Sequence, residues 1–426
     1  MDRANVGAAL VNGMIRTMKL TPTEQALITS MFYLFYITLE LPANVLLKKL
    51  KPRVWFCTLA ICWSITCMLQ ALAKSALVMI ILRTLLGAFD AGFSPGIIAY
   101  LPYWYTREEI GSRMSIFFAS LPLSGIIGSP LAAALVSIKS NLHPFQMIFL
   151  VEGGITLICG IVAIFLIQDY PETCTMLTNE ERAVLLKKLS ADQGLASKTT
   201  LNFKTIINSM LDWKTVVYCM GSLGIANGLI TYGYFGPTLM VSLGYSGVNA
   251  TYLTILPSAL GVVAIIGSIF IPKRIPMYVV IVSMMLIATT FGTIMAFAKG
   301  KTIRLIAFTL GGFTNPAFPI FLSWMSINQG GIGKRLVVSA VCFAFGNAAG
   351  AVVPFMFTTK YSPSYTIGFV YNIACGVIGM VLIFFMAQYF KSENARRDKS
   401  PVDITHLSED EQMLLYDAHP NFRYTL

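Results

Sequence analysis

Four charged side chains lie inside long apolar runs of this sequence: Glu40, Arg83, Asp90 and Glu152. Arg83 and Asp90 share the stretch RTLLGAFDAGFSPG (83–96). Seven residues make about two helical turns, so the two side chains are expected on nearly the same face. A guanidinium there would bind an anion, and a carboxyl beside it would hold a proton. Cargo that takes the arginine would release the carboxyl to bind a proton, which gives a physical route to proton–anion coupling. The alternative is a structural ion pair that fixes helix packing. Glu40 precedes Pro42, and Glu152 sits in LVEGG (150–154). Each is a candidate coupling acid, or else an inter-helix hydrogen-bond partner.

The C-terminal half of the sequence has no such charge in its apolar runs. It offers Asn227, Tyr232, Tyr234, Asn315, Asn347 and Asn372. Of these, Asn227, Tyr232 and Asn347 are taken as substrate-binding candidates, with inter-helix bonding as the competing role. Asn249-Ala250-Thr251 is a glycosylation sequon.

The elements that position these residues follow from composition. The 426 residues are 56% hydrophobic and 12% charged, with a mean hydropathy of +0.69. A soluble domain carries about 25% charged residues, so lipid is the solvent for most of the chain. A spanning helix needs roughly 20 apolar residues. That ruler predicts eleven spans, at 24–47, 54–73, 76–103, 114–138, 145–168, 215–235, 250–271, 275–298, 303–328, 335–358 and 364–390. Backbone groups in lipid must bond internally, so these runs are helices and the fold class is an all-α membrane bundle.

The polar connection 169–214 separates five spans from six. The expected organisation is an N-terminal half (1–168), a central loop (169–214) with an amphipathic piece from Asn179 to Leu189, a C-terminal half (215–390) and a tail (391–426). Two tight basic turns, Lys-Pro-Arg (51–53) and Pro-Lys-Arg (272–274), echo each other between the halves. Alternate connections carry 21 Lys and Arg; the opposite set carries nine, and Arg83 is the remaining one. Excess positive charge marks the cytoplasmic side, so the tail is expected there. The basic connection 299–304 runs against that rule.

Other classes are disfavoured. The basic residues sit in short loops, as an orientation signal rather than a nucleic-acid surface. Of the eight cysteines, seven lie in apolar runs, and none forms a C-x-x-C pair. The three histidines fall outside the spans, which removes a histidine metal cluster from them. No nucleophile–base pair or phosphate-cradling glycine loop is evident, so neither an enzyme nor a cofactor is expected.

Several segments together resemble one family. They are DRANVGAA (2–9), ELPANVLLKKLKPRVW (40–55), RTLLGAFDAGFSPG (83–96), LPYWYTREEIGSR (101–113), LVEGG with DYPETCTMLTNEERA (169–183), GIGKRLVVSAVCFAFGNAAGAVVPFMF (331–357) and HPNFRYTL (419–426). In this order they resemble the anion:cation symporter branch of the major facilitator superfamily, and within it the fungal allantoate permease group. The resemblance implies two pseudo-symmetric helix bundles and proton-coupled import of a small carboxylate, such as allantoate, nicotinate, pantothenate or biotin, by a monomer at the plasma membrane. It adds Arg3 to Arg83 as an anion-binding residue, and Asp2 to Asp90 as a proton-coupling one. The family's fourth-helix acid is usually Glu, and Asp90 departs from that. The match begins at residue 2, which implies that most of the family's first helix is absent. The competing functional readings are an uncoupled uniporter or exchanger, and a non-transporting sensor or inactive product.

Overall fold

The computed structural model describes residues 2–138, 140–174, 176–193, 203–270, 275–330, 332–399 and 416–426. Among them every regular element is helical. A short helix α1 (Asn5–Ala9) leads through a π turn (Leu10–Met14) into Ile15–Thr17. Then come α2 (Pro22–Lys49), α3 (Pro52–Leu72), α4 (Ala76–Ile98), α5 (Arg107–Ser137) and α6 (Pro144–Leu166). Two shorter helices, α7 (Asn179–Gln193) and α8 (Phe203–Leu211), fall in the central connection. The second half comprises α9 (Trp213–Ser242), α10 (Gly247–Ser268), α11 (Met277–Phe297), α12 (Lys301–Ile327), α13 (Ile332–Val352) and α14 (Thr366–Lys399).

Among the described residues, ten helices are long and apolar enough to cross a membrane. The remaining predicted span, 24–47, lies within α2, a helix of 28 residues. Side chains such as Phe165 and Phe270 stand more than 70% exposed on the outer surface, as a lipid-facing belt requires. Helix ends differ from the sequence expectation where polar residues continue a helix beyond the apolar run. Thus α5 begins at Arg107 rather than 114, because Thr106 and Glu109 form a reciprocal capping box. Likewise α14 runs on to Lys399, past the predicted end at 390. The amphipathic piece expected at 179–189 is a helix. Of the two echoing turns, 51–53 joins α2 to α3, and 272–274 lies outside the described residues.

Local chemistry sets the breaks that matter for the site. Thr21 caps α2, with Glu24 Oε2 accepting from its backbone N–H at 2.8 Å and Pro22 at the first helical position. Within α4 the regular helix stops at Asp90; residues 91–93 form a turn, and Pro95 starts the next piece. The π turn after α1 holds non-helical backbone at Asn12 (φ −101°, ψ 41°) and Gly13 (φ 107°), a value that favours glycine.

In the first half α3 packs on α6 and α2 on α4; in the second, α9 packs on α14 and α13, and α11 on α14. The halves meet through α1 on α9, α2 on α13 and α5 on α10. These contacts need small residues. A Cβ on Gly7 would strike the backbone carbonyl of Tyr234, and one on Gly350 would strike the Tyr33 ring. Ser129 Oγ and Thr254 Oγ1 lie 2.8 Å apart across α5 and α10. Alternation of the helices sets two ends for the bundle, here called the Thr21 end and the tail end.

Candidate functional site

Arg83 and Asp90 do not pair with each other. Seven residues of helix separate them by roughly 10 Å of rise, too far for a direct contact even on one face. Each finds its partner on the segment ahead of α2 instead. Arg3 donates from Nη2 to Asp90 Oδ2 at 2.7 Å and from Nε to the same oxygen at 3.1 Å. Arg83 donates to Asn5 Oδ1 at 3.1 Å and to the backbone carbonyl of Asp2 at 3.4 Å. The two residues share α4, as expected, but the ion pair considered between them is not formed.

The two arginines occupy different environments. Arg83 is 1% exposed and lies over the Phe149 ring at 5.5 Å. The Arg3 and Asp90 side chains keep 25% and 17% exposure. Arg3 also stacks on Tyr36 at 4.7 Å and Phe32 at 5.4 Å, which hold its plane. Tyr33 meets Tyr234 of the opposite half edge-on at 5.6 Å. Arg3 is therefore a cation on the seam between the halves, anchored by one carboxylate at the break in α4.

The other predicted acids surround this pair. Asp2 accepts from Thr156 Oγ1 at 2.7 Å, and Cys67 Sγ lies 3.7 Å from its other oxygen. Glu152 is 3% exposed and lies within electrostatic reach of Asp2, Arg83 and Asn5. Glu40 is wholly buried, and among the described residues neither of its oxygens has a hydrogen-bond partner; Arg3 is its nearby charge. The structure thus brings Asp2, Arg3, Arg83, Asp90 and Glu152 into one network, with Glu40 beside Arg3.

Three further members escaped the sequence reading. Asn5 lies three residues after Asp2, and Thr156 four after Glu152, both at helical same-face spacing. Tyr36 is four residues before Glu40. Those spacings were the available signal.

The uncharged candidates of the second half lie elsewhere. Asn227 donates to Leu223 O and Asn347 to Phe343 O, so both amides are partly spent on their own helices. Tyr232 has no hydrogen-bond partner for its hydroxyl among the described residues. It lines a cavity of about 50 Å³ among α9, α11, α12 and α14, together with Asn372. Asn249 is exposed in the first turn of α10, but Thr251 of its sequon is 1% exposed and receives the Asn12 amide at 3.2 Å.

At the tail end the described C-terminal residues are docked. Asp417 is clamped by Lys214 and by Lys334, the latter at 2.7 Å, and Lys334 also reaches Asp212 at 2.5 Å. Burial raises the proton affinity of Asp417, but the two ammonium groups outweigh it and hold the carboxyl below its usual range. Tyr424 lies flat on Phe390 at 4.1 Å. Thr425 exchanges hydrogen bonds with Asn328 and accepts from Trp324 Nε1, and Leu426 O accepts from Met277 N.

Comparison with known proteins agrees with this architecture. Residues 1–354 match the family model described as Major Facilitator Superfamily. An Emericella nidulans protein named major facilitator-type transporter hxnP is 26% identical over 442 aligned residues, covering 100% of this chain and 88% of that one. The Hormonema carpetanum MFS-type transporter efuF is 25% identical, over 94% of this chain and 82% of its own length. An Agrobacterium vitis protein named for tartrate transport is 31% identical over 62% of this chain and 59% of its own. Among solved structures, a bacterial homologue of the lysosomal transporter Spinster, inward-facing, superposes with a TM-score of 0.67 at 14% identity, over 91% of this chain and 93% of that one. A D-xylose–proton symporter gives 0.64 at 16% identity, over 90% and 94%.

Proposed function

The chain belongs to the Major Facilitator Superfamily, and from that premise we propose that this multi-pass membrane transporter imports a small organic anion together with protons by alternating access. The observation that carries the reading is the Arg3–Asp90 pair. It is a cation on the seam between the two halves, partly exposed, and held by a single carboxylate.

The chemistry follows from that arrangement. A cargo carboxylate competes with Asp90 for Arg3, whose planar fork suits carboxylate geometry. Once Arg3 is claimed, Asp90 stands without a counter-ion in a poorly solvated site, where an unpaired charge is costly. A proton binds it, and cargo and proton are then held together. Release of the cargo at the other face returns Arg3 to Asp90 and expels the proton. Asp2, Glu40 and Glu152 supply further proton-holding positions around two guanidinium groups. Arg83, dry and fixed to Asn5 and the Asp2 backbone, positions the segment that carries Arg3. Asn227, Tyr232 and Asn347 are assigned to cargo recognition in other states of the cycle, when the halves have rocked.

The finer assignments are part of the same proposal. The branch is that of the fungal allantoate permeases, on the motifs quoted above. The two halves are taken as 1–168 and 215–390, joined by 169–214. The chain acts as a monomer in the plasma membrane with the tail end cytoplasmic, on the excess of Lys and Arg there, and Asn249 is the glycosylation candidate. A relative named for tartrate transport supports a carboxylate cargo. Uptake measured with labelled allantoate, nicotinate, pantothenate, biotin and tartrate tests the reading, with D-xylose and a quaternary amine as controls. Uptake of at least one acid is expected. Uptake of the sugar or the amine with none of the acids would overturn it.

A further inference from the structure

At the Thr21 end, ahead of the Tyr33–Tyr234 contact, both halves wall a cleft of about 600 Å³. Its lining is rich in hydroxyl and amide groups, among them Asn12, Thr238, Ser242, Ser246 and Thr359, with Arg16 as the charged member. That volume is in the range of small-molecule sites, about 300–1,000 Å³. The wall contributed by the first half is the π turn at Asn12 and Gly13, where the helix is interrupted. An interrupted helix inside a membrane bundle is tolerated where it faces a wet or occupied cavity, because its freed backbone groups need partners. The Asn12 side chain repairs only part of the break, donating to Ala8 O and to Thr251 Oγ1.

A second observation is independent of the cleft. Among the described residues, the Thr21 end carries Arg16, Lys19, Lys74, Lys299, Lys301, Arg304 and Lys360 against one acid, Glu24. Glu24 is itself committed to the Thr21 cap. Lys301 is fixed over the Tyr245 ring at 3.9 Å, next to the cleft wall. Cations on this end oppose the orientation bias carried by the other loops, so topology does not explain them. A like-signed rim around a cleft with low-dielectric walls does have a physical consequence. It concentrates counter-ions, and association rates rise about 10–1,000-fold, with strong salt dependence.

We propose that this cleft is an entry site that collects small anionic solutes at the Thr21 end and holds them by hydroxyl and amide contacts ahead of Arg3. The ligand class is a small organic acid, because the lining offers hydrogen bonds and positive potential and no carboxylate. The significance of the site rests on the anionic-cargo reading above, but its electrostatics can be measured without any cargo.

The test places a thiol in the cleft as Thr359→Cys in the purified full chain in nanodiscs. Its reaction rate is compared for 2-sulfonatoethyl methanethiosulfonate, an anion, and 2-(trimethylammonio)ethyl methanethiosulfonate, a cation. Rates are corrected for the parent chain and normalised to free 2-mercaptoethanol. Val248→Cys, a lining position on α10 rather than beside Lys360 in the chain, repeats the measurement. At low salt the anion is expected to win by about tenfold or more. That ratio should shrink several-fold in high salt and in the Arg16→Gln/Lys301→Gln variant. A normalised ratio at or below one at both positions would overturn the entry site. A high ratio with no acid transported would leave the entry site standing and sink the cargo reading. Transport of an acid with a ratio of one would do the reverse.

Discussion

At the tail end Asp212 and Asp417 face Lys214 and Lys334, two acids against two bases, all largely buried. In the first half of the chain Asp2, Glu40, Asp90 and Glu152 share the bundle with Arg3 and Arg83, four acids against two bases. Both are charge clusters in a protein that spends most of its surface on lipid, yet they are built to opposite ends. The balanced cluster satisfies every member and seats an aromatic peptide, which suits a fixed joint. The unbalanced one leaves Glu40 without a hydrogen-bond partner among the described residues and Arg3 partly exposed, which suits groups whose partners change during a cycle.

Breaking the balanced cluster should cost the most and affect transport the least. Asp417→Ala leaves the two ammonium groups sharing Asp212 alone, a loss of about 3–5 kcal/mol by analogy with other broken buried pairs. Thermal denaturation in detergent should show the drop, with uptake per folded molecule unchanged. The same joint has a pH signature. The Asp417 carboxyl sits below its usual range in the folded chain. Its contribution is therefore full above the unfolded value, about 3.9, and fades as pH falls through the lower folded value. Protection of the tail from limited proteolysis should be flat from pH 5 to 8 and decline only in strong acid.

The unbalanced cluster should respond the other way. Arg3→Gln removes the cation that binds cargo, a loss of about 2–5 kcal/mol of binding, while the freed Asp90 relieves its charge by taking up a proton. Uptake should fall about 100-fold while the denaturation midpoint moves little. A coupled loss of fold and uptake would erase the contrast between the clusters. A smaller effect is expected at the seam. Gly350→Leu pushes against the Tyr33 ring, which disfavours closure at the Thr21 end. Uptake should drop about tenfold, with a gain in cysteine labelling at Thr359→Cys, since a clash of about 1–3 kcal/mol shifts a two-state balance by that order. The mildest change is Tyr232→Phe, expected to stay within about twofold, because the hydroxyl lies in a small cavity apart from the charged network. A larger loss would make the Tyr232 hydroxyl a principal cargo contact instead of a minor one.

Much of the architecture was legible in the residues because lipid imposes a simple rule. Runs of about 20 apolar residues must be helices, and among the described residues the predicted runs are helices, α2 included. The helix that carries Arg83 and Asp90 was also legible, since a charge inside such a run stands out. Their partners were not. Arg3 and Asn5 are 87 and 78 residues from the groups they bind, and periodicity speaks only of neighbours on one helix. The docked tail was missed for the same reason. Residues 419–426 read as a family signature, but nothing local says that Tyr424 lies on Phe390 or that Asp417 bridges α9 and α13. Of the cationic rim, only the connection 299–304 stood out in the sequence as an exception to the orientation rule; it took the cleft beside it to give those charges a physical role.

The most direct measurement of the Arg3–Asp90 exchange is accumulation of a transported acid by Asp90→Asn in proteoliposomes under an imposed proton gradient. An asparagine cannot take up the proton that cargo displaces. The variant should equilibrate the acid across the membrane, with flux indifferent to the gradient. Uphill accumulation that still follows the gradient, at the parent's level, would contradict the account.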